Sequence, residues 1–169
     1  MTSHIEIVGE ALLESTRQVF EEHGVRVPEA LLCDPVGEWV YPIAVIGFGG
    51  ETLRGSVSFE VPWPVLQACH PSKSSATADL VDWVGELSNL VLGKLKTRLR
   101  AHSVAIQLGL PMTFTAGTAV SALTSASKLQ YRLRLDAGMI LVRFSAEIDP
   151  TFVMTASETP EVVHGIDLF

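Results

Sequence analysis

One uninterrupted amphipathic stretch, residues 78–101 (ADLVDWVGELSNLVLGKLKTRLRA), constrains the fold more than any other part of the chain. At about 100° per residue, Leu80, Val84, Leu87, Val91 and Leu95 fall on one side, and Trp83, Leu90 and Leu92 broaden it. So much apolar surface on one helix must be buried against a sheet. Thr77 can cap its start, with Asp79 and Asp82 in or near the first turn.

The rest of the chain supplies that sheet. Residues 6–23 carry Val8, Leu12, Val19 and Phe20 at helical spacing and stop at Gly24, which predicts an N-terminal helix. RVPEALL (26–32) reads as a connector. EWVYPIAVIGFGG (38–50) and ETLRGSVSFEV (51–61) read as paired strands around a glycine turn, with Pro42 at a strand start or an exposed edge. Pro64 opens a short helix that Pro71 ends. After the long helix, SVAIQLGLP and MTFTAG read as one or two strands and SALTSAS as a loop. KLQYRLRL and MILVRFSAEI alternate clearly and are joined by Asp136-Ala137-Gly138 as a hairpin. Strands that run consecutively favour α+β: an antiparallel sheet packed against a long central helix and an N-terminal helix. One domain over 1–169 is expected, with 149–169 as a loose or edge-packing tail.

Composition narrows the function. The chain is 47% hydrophobic and 18% charged, a globular balance. Its formal charge of −7 argues against a nucleic-acid partner, which needs a basic field. The basic run KLKTRLR has a simpler reading as a complement to the helix dipole. No apolar run reaches the ~20 residues of a membrane span, and the N-terminus lacks the pattern of a secretory signal. A cytoplasmic protein is therefore expected. Cys33 and Cys69 are far apart and fit no ligand pattern, and the five histidines have no metal-ligand spacing, so no metal site is expected. GFGGETLRG lacks both phosphate-loop patterns and joins two strands, so it reads as a turn.

The long helix has a second, polar stripe: Asp82, Glu86, Asn89, Gly93, Lys96 and Arg100, spaced alternately by four and three. A solvated face is the plain reading. Yet a glycine inside a helix costs about 1 kcal/mol against alanine, and asparagine is also unfavourable there. Gly93 one turn beyond Asn89 leaves open surface beside the amide. Two poor helix formers adjoining a carboxylate suggest a face that another molecule approaches closely.

The stretch DWVGELSNLVLGKLK resembles the active helix of the CheC/CheX/FliY family of chemotaxis phosphatases, whose signature there is Glu-x-x-Asn, usually followed by x-x-x-Gly. Here it is Glu86-Leu87-Ser88-Asn89 and then Gly93. RGSVSFEVPW and IQLGLPMTFTAG resemble the family's flanking strands, so the likeness covers roughly 40–148. The first helix has no Glu-x-x-Asn, which makes the chain similar to the single-site CheX type rather than the two-site members.

The resemblance implies a CheC-like α+β fold, a homodimer, and a phosphatase acting on the aspartyl-phosphate of a CheY-like response regulator. In that role Asn89 orients the attacking water, and Glu86 docks on the regulator's lysine. Asp82, Gly93, Lys96 and Arg100 border the contact, and the partner brings its own Mg²⁺. The chemistry suits the residues: an amide cannot act as a base near neutrality, but it can hold a water by donating and accepting hydrogen bonds. The alternatives are a non-catalytic regulator-binding module using the same helix face, and a dimerisation domain whose polar stripe is merely wet.

Overall fold

The structure, a computed structural model, describes residues 3–33, 42–115 and 127–154. Among the described residues three helices and seven strands follow in chain order: α1 (His4–Glu22), β1 (Glu29–Leu32), β2 (Ile43–Gly49), β3 (Leu53–Glu60), α2 (Trp63–Cys69), α3 (Thr77–Ala101), β4 (Gln107–Leu108), β5 (Met112–Phe114), β6 (Ser127–Leu135) and β7 (Gly138–Ile148). The strands form one sheet in the order β1-β6-β7-β3-β2-β4, with β5 also paired to β2, and every pairing is antiparallel. This is the expected α+β architecture.

Register decides which face of the sheet the helices cover. Phe59 pairs with Val142, which pairs with Tyr131, and Val57 pairs with Phe144, which pairs with Leu129. These rows join Ala44, Ile46, Leu133 and Ile140 in one hydrophobic core with Leu12, Val19 and Phe20 of α1 and Val84, Leu87, Val91 and Leu95 of α3. The alternate rows are polar: Ser58 pairs with Arg143, which pairs with Gln130. Fully buried Glu60 forms an ion pair with Arg143, which also donates from Nε to Gln130 at 2.7 Å. A buried pair of this kind is satisfied rather than strongly stabilising.

Local chemistry sets the helix ends. Ser3 and Glu6 form a reciprocal capping box, so α1 begins two residues before the periodicity indicates. Gly24, at φ +78°, closes its other end, where Val25 N–H donates to Phe20 C=O at 2.9 Å. The same closure ends α3, with Ser103 in the left-handed region and Val104 N–H donating to Leu99 C=O at 3.0 Å.

Several expectations change. The connector 26–32 contains a strand: Glu29–Leu32 adds to the edge at β6, an element too short and too little alternating to announce itself. Thr77 does not cap α3; it is the first helical residue, Ala76 holds the cap position without a side-chain bond, and Ser74 donates to Asp79 at 2.5 Å instead. SVAIQLGLP supplies only a two-residue strand. Leu90 is 41% exposed rather than part of the buried surface. The first residues after Pro150 pack, with Phe152 and Met154 buried. The strand start at 38–41, the loop at 121–126 and the tail from 155 lie outside the described residues.

Candidate functional site

Two small buried residues mark where α3 seats against its neighbours. Gly85 is buried, and a Cβ built there would lie 3.3 Å from Thr113 Cγ2 and 3.8 Å from the Pro111 ring. Ser88, fully buried, folds its hydroxyl back onto Gly85 C=O at 2.7 Å. Small residues at 85 and 88 thus let the helix seat closely, and they set where the intervening Glu86 and the following Asn89 emerge.

They emerge outward. Asp82, Glu86, Lys96 and Arg100 are exposed, and Asn89 and Gly93 are half-buried on the same stripe. The α3 side chains that hydrogen-bond are Asp79, Trp83, Ser88, Lys94, Thr97 and Arg98. Among the described residues, neither Glu86 nor Asn89 has an intramolecular partner. The structure brings all six expected positions onto one face; Asp82 and Arg100 stand at its two ends, 18 residues or roughly 27 Å apart.

Gly93 carries the clearest signal. A Cβ there would meet nothing within 4 Å, and its φ is not in the left-handed region. Neither internal packing nor backbone conformation requires a glycine. This is unlike Gly55, where an added Cβ would lie 2.0 Å from Ser145 C=O.

Beside the stripe, α1 and α3 enclose an open groove of ≈ 500 Å³ that includes Asn89, Leu90, Gly93 and Thr97. Two bridges between the helices line it: Lys94 Nζ to Glu22 Oε1 at 2.9 Å, and Arg98 Nη2 to Gln18 Oε1 at 3.1 Å. The Lys94 bond is the main reason the Glu22 carboxyl is held below its ordinary range. Gln18 and Glu22 had no functional signal in sequence, because a groove between two helices is invisible to the period of either. The structure also stacks His23 and His70 edge-on against Trp83, with ring centres 5.0 and 5.5 Å away.

Among the described residues no group of three or more His, Cys, Asp or Glu comes together as a metal site. No helix among them is long and apolar enough to cross a membrane.

A family model described as chemotaxis phosphatase CheX matches residues 42–133, more than half of the chain and the whole of α3. The chain belongs to the CheX family. Solved structures share the fold. The chemotaxis protein CheX from Desulfovibrio desulfuricans is 19% identical, with a TM-score of 0.71 over 83% of this chain and 99% of that one. CheX from Vibrio vulnificus is 18% identical, with a TM-score of 0.71 over 87% and 100%. The CheX–CheY–BeF3–Mg²⁺ complex from Borrelia burgdorferi matches at 14% identity and a TM-score of 0.64, over 87% and 99%. No curated protein matches the chain.

Proposed function

We propose that this CheX-family protein hydrolyses the aspartyl-phosphate of a CheY-like response regulator, with Asn89 orienting the attacking water and Glu86 docking on the regulator. The observation that carries the reading is an outward carboxamide and carboxylate, one turn apart on a rigid helix and without partners among the described residues. The complex of a CheX with CheY from Borrelia burgdorferi supports the choice of partner.

The chemistry follows from what each group can do. Asn89 donates and accepts, so it can hold a water by both hydrogen bonding directions and aim its lone pair at phosphorus. The water oxygen forms a new P–O bond as the aspartyl O–P bond breaks. The carboxylate departs with the bonding electrons, and both water protons remain on the released phosphate. Phosphoryl transfer depends on alignment and charge stabilisation rather than on a strong base, so a positioned amide suffices. Glu86 would pair with a lysine of the regulator and fix the register. Asp82, Gly93, Lys96 and Arg100 would border the contact. Mg²⁺ belongs, in this reading, to the regulator's own carboxylate site, and this chain contributes no metal ligand.

The test is a screen of phosphate release from the phosphorylated receivers encoded in the same genome. Acceleration of one or more by the wild-type protein supports the reading. Binding without acceleration selects a non-catalytic module, and binding to none of them leaves only a structural role. A homodimer is proposed as well. Leu31 and Leu32 on edge strand β1 are 55% and 58% exposed, the kind of surface a second copy can cover. Sedimentation as a monomer at micromolar concentration would rule it out.

A further inference from the structure

The polar stripe accounts for Glu86 and Asn89 but not for the hollow beside them. We infer that the groove between α1 and α3 seats a flank of the phosphorylated regulator, so that α1 as well as α3 reads the partner; this rests on the function proposed above.

Three observations choose that occupant. The groove is continuous with the candidate chemistry, because Asn89 itself forms part of its wall. Its floor at Gly93 is open for no reason found among the described residues, since an added Cβ would touch none of them within 4 Å. A helix keeps such a glycine at a cost, and a backbone or side chain of a partner pressed against it explains the choice. Finally, charge matches. Lys96 and Arg100 stand on the exposed stripe beside the groove, an outer lip rather than part of its wall, and form no ion pair among the described residues, whereas Lys94 in the wall is held by Glu22. A receiver site that binds Mg²⁺ and carries a phosphoryl group is built from carboxylates, so its surroundings are of opposite sign to this lip. At the other end of the stripe Asp82 and Glu86 are acidic. The face therefore has a direction: a partner docked the wrong way round would set like charges together at both ends. Leu90, half out of the core at the groove's edge, offers an apolar anchor beside the amide.

Filling the groove from each wall tests this. Gln18→Trp on α1 and Thr97→Trp on α3 narrow it without altering Glu86 or Asn89. The assays use the full chain with the receiver that it binds most tightly among those screened, phosphorylated for turnover and activated with beryllofluoride and Mg²⁺ for binding. Each tryptophan variant is expected to raise KM and Kd about tenfold while kcat stays within about twofold. Arg54→Trp sets the same bulk on an exposed position of β3, outside the groove, so its KM is expected to stay at the wild-type value. Unchanged KM in both tryptophan variants overturns the inference, even where Asn89→Ala abolishes turnover. An equal rise in KM for Arg54→Trp overturns it too, by showing that the effect is not confined to the groove. Dissociation of a homodimer by the tryptophans would assign the groove to a second copy and overturn it. Wild-type protein that binds the receiver without hydrolysing it defeats the catalytic reading alone; protein that binds no receiver defeats both.

Discussion

Asn89 and Gly93 stand one turn apart on the outer face of α3, the first with no hydrogen-bond partner among the described residues and the second with empty space where a side chain would begin. A helix that served only its own fold would gain from alanine at 93.

Gly93→Ala should therefore move stability and activity in opposite directions. The fold gains up to about 1 kcal/mol from helix propensity, which in a chain of this size raises Tm by about 2–4 °C. Turnover of the phosphorylated regulator falls, through KM rather than kcat. Thermal melting and steady-state kinetics on one preparation check both signs, and a variant gaining stability with unchanged KM would show the glycine to be incidental.

A different glycine is structural. An added Cβ at Gly9 would lie 2.2 Å from the Tyr131 hydroxyl and 2.7 Å from Leu129 Cδ1, where α1 crosses β6. Gly9→Ala should destabilise by about 1–3 kcal/mol, the usual cost of overpacking. Tyr131→Phe, which removes the crowding oxygen, should recover part of that loss in the double variant, a non-additivity measurable by denaturant titration. The same burial, helped by Glu10 and Glu6, pushes the Tyr131 phenol up to about 12. Because the unfolded chain ionises first, stability is full below the ordinary value of 10 and is lost as pH rises through 12. Tyr131→Phe should blunt that alkaline loss.

The bridge from Lys94 to Glu22 has an acid signature. Lys94's hydrogen bond holds the Glu22 carboxyl below its ordinary value of 4.5, with Gln18 adding to the effect. A depressed native value means the unfolded chain takes up the proton first. The bridge's contribution is thus present above 4.5 and vanishes as pH falls through the native value. Melting curves of wild type and Glu22→Gln should differ at neutral pH and converge in acid. A gap that widened in acid would contradict this account of the α1–α3 contact.

Much of this site could be read from residues alone, for a physical reason. A long helix imposes its own period, so the alignment of Asp82, Glu86, Asn89, Gly93, Lys96 and Arg100 follows from spacing, and the structure sets them on one outward face. The alternation of Leu129, Tyr131, Leu133 and Leu135 likewise marks β6 and its buried side. What spacing could not supply were relations between distant segments. Strand β1 exists because β6 offers an edge, not because EALL has a pattern. Leu90 stays 41% exposed at the edge of the groove between α1 and α3, and the Gln18–Arg98 bond joins residues 80 apart in the chain. Thr77 failed as a cap because the loop before it finds another solution in Ser74 and Asp79.

The most direct test is kcat of Asn89→Ala and Glu86→Ala with a saturating phosphorylated regulator, each shown to be folded by its melting curve. Loss of the water-orienting amide should lower kcat by about 10²-fold or more with little change in affinity for the beryllofluoride-activated regulator. Loss of Glu86 should chiefly weaken binding. An Asn89→Ala protein that turns over the regulator at the wild-type rate would contradict the account.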